Sequence, residues 1–129
     1  MIVVDASVIL HALTEGPSDP AFVDKLENEG ELFAPEVIYL EILSGMRKQL
    51  RLNKMRREHL LITAQDLHAF PINISPIHNF IGRIWELRNN FTSYDAAYVV
   101  LAERLRMPLF TRDQKLAAAV KTHTKVTLV

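Results

Sequence analysis

The chain has 129 residues, no cysteine, and 15 Lys+Arg against 15 Asp+Glu, so its formal net charge is zero. These values exclude a disulfide framework, thiolate chemistry and a generally basic nucleic-acid binder, while leaving room for a local basic patch. At 49% hydrophobic and 23% charged residues, the sequence reads as one globular domain over residues 1–129. It contains no apolar run of the roughly 20 residues a membrane helix needs. Its start lacks a charged leader and a cleavage site, which suggests an unprocessed cytoplasmic chain.

The first element is Ile2-Val3-Val4, apolar and β-branched throughout. Such a strand is buried on both faces, as in the middle of a parallel sheet. Asp5 then falls at the strand's carboxyl end, where open α/β sheets bind ligands. As an isolated residue, Asp5 or Ser7 could equally cap the helix predicted from Ala6 to Leu13. The cluster Glu15-Gly16-Pro17-Ser18-Asp19-Pro20 ends that helix, and a second runs from Ala21 to about Glu29, stopped by Gly30.

Glu31 to Ala34 is a short strand, and Pro35 is expected to open the helix that runs to about Leu50. Glu41 sits in an otherwise apolar part of this helix, between Val37 and Ile38 one turn before and Ser44 one turn after. Either it lies just off the buried stripe and is solvated, or something pairs with it. A basic stretch follows: Arg47, Lys48, Arg51, Lys54, Arg56 and Arg57. It is a solvated helical face or a rim that contacts phosphates.

A helix to about His68 precedes a third strand, Phe70 to Ile74, which Pro71 marks as short or peripheral. Pro76 opens a helix to about Arg88, with Phe80, Ile81, Ile84, Trp85 and Leu87 as its apolar face. The large aromatics Phe80, Trp85 and Phe91 read as core or dimer interface. The next helix starts at Thr92-Ser93-Tyr94-Asp95 and runs to Arg106. Its small and apolar residues suit burial against the sheet. Leu109-Phe110 is a strand, Thr111-Arg112-Asp113 a turn, Gln114 to Lys121 a helix, and Thr124 to Val129 a last strand. Strands and helices alternate throughout, which predicts a three-layer α/β/α fold around a mostly parallel sheet.

Asp5, Glu41, Asp95 and Asp113 could meet at one edge of such a sheet. Four close carboxylates repel one another, and a hard divalent cation such as Mg²⁺ or Mn²⁺ relieves this. With no Cys and no paired His, zinc is disfavoured. The five histidines are scattered and read as structural or surface residues. The chemistry suits phosphodiester hydrolysis. Ser7 and Thr111 could orient water or a phosphate oxygen, although each alone is also a good helix cap.

The four stretches Val3-Val4-Asp5-Ala6-Ser7, Pro35 to Leu43 around Glu41, Tyr94-Asp95-Ala96-Ala97-Tyr98, and Thr111-Arg112-Asp113-Gln114-Lys115-Leu116 resemble the acidic motifs of PIN-domain ribonucleases. The nearest subgroup is the VapC-like toxins of type II toxin–antitoxin systems. The resemblance spans the whole chain in order, and the ordered set of four is what makes it specific. It implies a metal site of Asp5, Glu41, Asp95 and Asp113, with Asp5 and Asp95 innermost and the other two acting partly through water. Glu36 does not match the family's glutamate. The resemblance further implies Mg²⁺- or Mn²⁺-dependent RNA cleavage, a homodimer, and a VapB-like antitoxin whose tail blocks the pocket. Arg47, Lys48 and Arg51 would then form part of an RNA rim.

Two rival readings differ in class. An inactive PIN-fold module that binds RNA or protein would have no need to gather four repelling acids. A haloacid-dehalogenase-like phosphatase would want a second acid where Ser7 stands.

Overall fold

Three β-branched residues, Ile2–Val4, form β1 at the centre of a four-stranded parallel sheet with strand order β3-β2-β1-β4. The structure is a computed structural model that describes all 129 residues. Residues of β1 are at most 1% exposed, as expected for a strand covered on both faces. The strand pairs with β2 (Leu32–Pro35) on one side, Ile2 opposite Leu32, and with β4 (Leu109–Phe110) on the other, Val3 opposite Leu109. At the outer margin, β3 (Ile72–Ser75) pairs with β2 from Leu32↔Ile72 to Pro35↔Ser75.

Seven helices join these strands: α1 (Ala6–Glu15), α2 (Pro20–Asn28), α3 (Ile38–Arg51), α4 (Arg57–Asp66), α5 (Ile81–Glu86), α6 (Ser93–Leu105) and α7 (Gln114–His123). The chain steps from β1 to β2 to β3 in one direction, then returns past β1 to β4. Right-handed crossovers therefore put α1 to α4 on one face of the sheet and α5 and α6 on the other. Contacts among α1, α3 and α4, and of α6 with α5, β1 and β2, agree with this division. The three-layer expectation holds.

Helix α6 is the central one. Ala96 to Ala102 are seven consecutive buried residues, so the helix is enclosed on all sides. On the opposite face, Ile38, Ile42 and Met46 of α3 form its buried stripe at a spacing of four. Arg83 joins the short α5 to α6 through a two-pronged bond to Glu103, both contacts at 3.0 Å.

Three features depart from the sequence expectation. Pro35 does not open α3; it is the last residue of β2, and the helix starts three residues later at Ile38. The missing N–H of a proline is tolerated at a strand end as it is at a helix start. The helix expected from Pro76 to Arg88 shrinks to a 3₁₀ turn at His78–Phe80 and the six residues of α5. Ile81 and Trp85 of its expected apolar face are 60% and 66% exposed. Trp85 is therefore not in the core; it lies under the Arg88 guanidinium, 4.6 Å from the ring centre. Finally, the last strand is reduced to one bridge, Leu128 beside Leu109. Leu109 N–H donates to Thr127 O, and Val129 N–H donates to Leu109 O.

Candidate active site

The direction of the sheet reverses at β1, since β2 and β4 flank it and their crossovers leave in opposite senses. Such a switch point opens a crevice beyond the carboxyl ends of the strands. Asp5 follows β1 directly into it and is 5% exposed. Its Oδ1 accepts from the Ser7 N–H at 3.0 Å, the Ser7 hydroxyl at 2.5 Å and the Val8 N–H at 3.3 Å. Its Oδ2 accepts from the Thr111 hydroxyl. Asp5 is thus the N-cap of α1, at the carboxyl end of β1. The cap reading of this residue holds.

The other acids also arrive at the starts of helices, one of them as a cap. Asp113 caps α7, its Oδ1 accepting from Lys115 and Leu116 N–H groups. Asp95 lies in the first turn of α6, whose cap is Thr92. Glu41 lies in the first turn of α3. All four carboxylates therefore stand at helix N-termini, where backbone dipoles and free N–H groups favour negative charge. That arrangement is how one small fold tolerates four acids in one place.

They feel one another. Burial pushes the Asp5 carboxyl above its usual range, against the opposing pull of its Ser7, Thr111 and backbone hydrogen bonds. Glu41 is raised by burial, then by the charges of Asp95 and Asp5, with the Tyr98 hydrogen bond opposing. Asp95 is raised by burial, then by the charges of Asp113 and Asp5. Asp5, Glu41 and Asp95 thus each couple to more than one of the other acids, and Asp113 couples to Asp95.

The acids converge without closing. No three His, Asp or Glu side chains stand close enough to cage an ion by themselves. The oxygens of Asp5 are held by Ser7 and Thr111, and Glu41 Oε1 by Tyr98. An all-oxygen donor set that falls short of a closed cage fits a hard divalent ion that keeps several of its waters. It does not fit zinc.

Ser7 and Thr111 do more than accompany the acids. The Arg112 N–H donates to Ser7 Oγ at 2.9 Å, and the Asp113 N–H donates to Thr111 Oγ1 at 3.0 Å. The two hydroxyls thereby tie the loop after β4 to the start of α1. Of the basic stretch, only Arg47 reaches the site. It lines a groove of about 650 Å³ with Leu40, Glu41, Leu43, Ser44 and Tyr94. Lys48 and Arg51 are exposed further along α3 and do not line it. A wider cleft of about 910 Å³ lies at the opposite edge of the sheet, between the ends of α6 and α7. Its one acid, Glu103, is already paired with Arg83, so it is not a second acidic site.

Tyr98 is the residue that sequence reasoning missed. It is 1% exposed, and its hydroxyl donates to Glu41 Oε1 at 2.7 Å. Burial and the neighbouring Glu41 hold its phenol protonated far above its usual range. The signal was available: Tyr98 stands three residues after Asp95, on the same side of α6.

A family model described as "PIN domain" matches residues 2–121. The chain belongs to the PIN-domain family. Within it the chain is VapC-like. Ribonuclease VapC9 of Mycobacterium tuberculosis is 32% identical over 129 residues, spanning 100% of this chain and 98% of the relative. Among solved structures, PAE2754 from Pyrobaculum aerophilum is 25% identical with a TM-score of 0.65, covering 98% of this chain and 81% of that one. VapBC2 from Rickettsia felis, bound to a DNA fragment from its promoter, gives a TM-score of 0.67 over 100% of this chain and 98% of that one. At 14% identity, it supports the fold alone.

Proposed function

We propose that this chain is a metal-dependent endoribonuclease of the VapC type that hydrolyses RNA phosphodiester bonds at the crevice of Asp5, Glu41, Asp95 and Asp113. The observation that carries this reading is the assembly of four mutually repelling acids at four helix N-termini around the switch point. Beyond the two helix caps at Asp5 and Asp113, the fold gains nothing from bringing these charges near one another, and a cation would relieve their repulsion. The ribonuclease name of the relatives points the same way.

Asp5 and Asp95 would be the inner ligands, with Glu41 and Asp113 acting partly through water. A bound Mg²⁺ or Mn²⁺ would polarise water and offset the charge of the phosphate. Ser7 and Thr111 keep Asp5 oriented and the Asp113 loop in place. Arg47 makes no ion pair and offers a phosphate contact beside Glu41. Lys48 and Arg51 extend that positive edge along α3. As partners we propose a VapB-like antitoxin and a second copy of the chain. No helix is long and apolar enough to cross a membrane.

The test is cleavage of a mixed cellular RNA pool by wild type and Asp95→Asn, in Mn²⁺, Mg²⁺ and EDTA. Wild type should cut in at least one metal and stop in EDTA. Asp95→Asn should lose at least about 100-fold, because an inner ligand supports several kcal/mol of transition-state charge stabilisation. Cleavage that survives EDTA or the substitution would sink the reading.

A further inference from the structure

Glu41 and Tyr98 meet across the carboxyl edge of the sheet, from helices on opposite faces. Glu41 is half-buried on α3, and Tyr98 is enclosed within α6. Their bond at 2.7 Å links residues 57 apart in sequence. A phenol O–H can donate one hydrogen bond, and here Glu41 Oε1 accepts it. One carboxylate oxygen is thereby engaged, and Oε2 has no hydrogen-bond partner within the protein. A glutamate on three rotatable bonds is a poorly defined ligand until something fixes it. Tyr98 is also carried by the helix that supplies Asp95, so the spacing between the α3 acid and the α6 acid is set through its ring.

We propose that Tyr98 is a positioning residue for the acidic site: it holds Glu41 by Oε1 so that Oε2 faces a divalent cation. The inference rests on the cation site proposed above, and its test separates the two. Tyr98→Phe removes one oxygen and keeps the buried ring. Mn²⁺ binding would be measured by calorimetry on wild type, Tyr98→Phe, Glu41→Gln and the double variant, together with kcat and KM for RNA.

Positioning predicts about 10-fold weaker Mn²⁺ binding in Tyr98→Phe, the scale typical when a ligand loses its orienting partner. It also predicts a lower kcat with KM for RNA little changed, and no further loss when Tyr98→Phe is added to Glu41→Gln. Unchanged Mn²⁺ affinity in Tyr98→Phe, or losses that add in the double variant, would overturn it and leave the cation site standing. Wild type that binds no Mn²⁺ would overturn both.

A second measurement needs no substitution and serves if Tyr98→Phe does not fold. The chain has three tyrosines, so 3-fluorotyrosine labelling gives three resonances. The solvent-shielded one, Tyr98, should shift on saturation with Mg²⁺. Binding of Mg²⁺ without that shift would overturn the proposal.

Discussion

Asp5 shows how one side chain serves two purposes that usually compete. Its carboxylate caps α1 and is clasped by two hydroxyls, yet burial leaves it harder to ionise than a free aspartate. Glu41 and Asp95 share that upward shift, to which the surrounding acids contribute. A carboxyl that binds protons more readily folded than unfolded favours the fold below the usual carboxylate range. That contribution is lost as pH rises through the raised values. The ion-free protein should therefore carry a penalty at neutral pH that Asp95→Asn relieves. In EDTA, Asp95→Asn should melt above wild type at pH 7, and the gap should close by about pH 4, where unfolded carboxylates protonate. A gap independent of pH would mean that the acids do not repel. At this scale the sequence singled out Asp5, Asp95 and Asp113 by their places after strands and at helix starts, and Glu41 as an acid in an otherwise apolar helix, with Ser7 and Thr111 beside them. It did not show Tyr98, because a tyrosine in an apolar helix reads as core until its hydroxyl partner is located. It also did not separate Arg47 from Lys48 and Arg51, since only the packed position of α3 decides which of three cations borders the groove.

Among the elements, α6 connects stability to the site. Its buried run from Ala96 to Ala102 fills the space against β1 and β2 while its first turn delivers Asp95. Leu101 is 1% exposed, and Leu101→Ala should cost about 2–5 kcal/mol by the usual range for such truncations. Urea unfolding would measure it, and a cost below about 1 kcal/mol would contradict the central packing of α6. The sequence made α6 legible because seven small and apolar residues follow one another without a charge. It misjudged α5, where Phe80, Ile81, Ile84 and Trp85 have helical spacing but Ile81 and Trp85 face outward. Periodicity reports that a stripe exists; it does not report which neighbour covers it. The boundary at Pro35 failed for a similar reason, since a strand end and a helix start both suit proline, and only pairing with Ser75 decides.

For the whole molecule, the alternation of strands and helices was enough to predict a parallel sheet with helices on both faces. The strand order was not, because nothing local says that β4 returns to the far side of β1. That return creates the crevice, so the feature that makes the site is the one least visible along the chain. The tail was overestimated as a strand: residues 124–129 alternate correctly, but β4 is two residues long and offers a single pairing position. Deleting residues 124–129 should leave Leu109 without its N–H and C=O partners and loosen the short strand from which Asp113 departs. Hydrogen exchange at the Leu109 and Phe110 amides should become at least about 10-fold faster in the truncated chain, equivalent to about 1.4 kcal/mol of lost local stability. Unchanged protection would show that β4 needs no cover.

The two margins of the sheet have a consequence for behaviour at high concentration. Open strand edges are templates on which other chains can pair. Here β3 is framed by Pro71 and Pro76, which leaves only four residues between them, and β4 is occupied by the chain's own tail. Neither margin offers a long ladder to a neighbouring molecule. The shortness of β4, with the tail lying along it, therefore leaves the molecule little edge on which copies could stack strand by strand as it is concentrated.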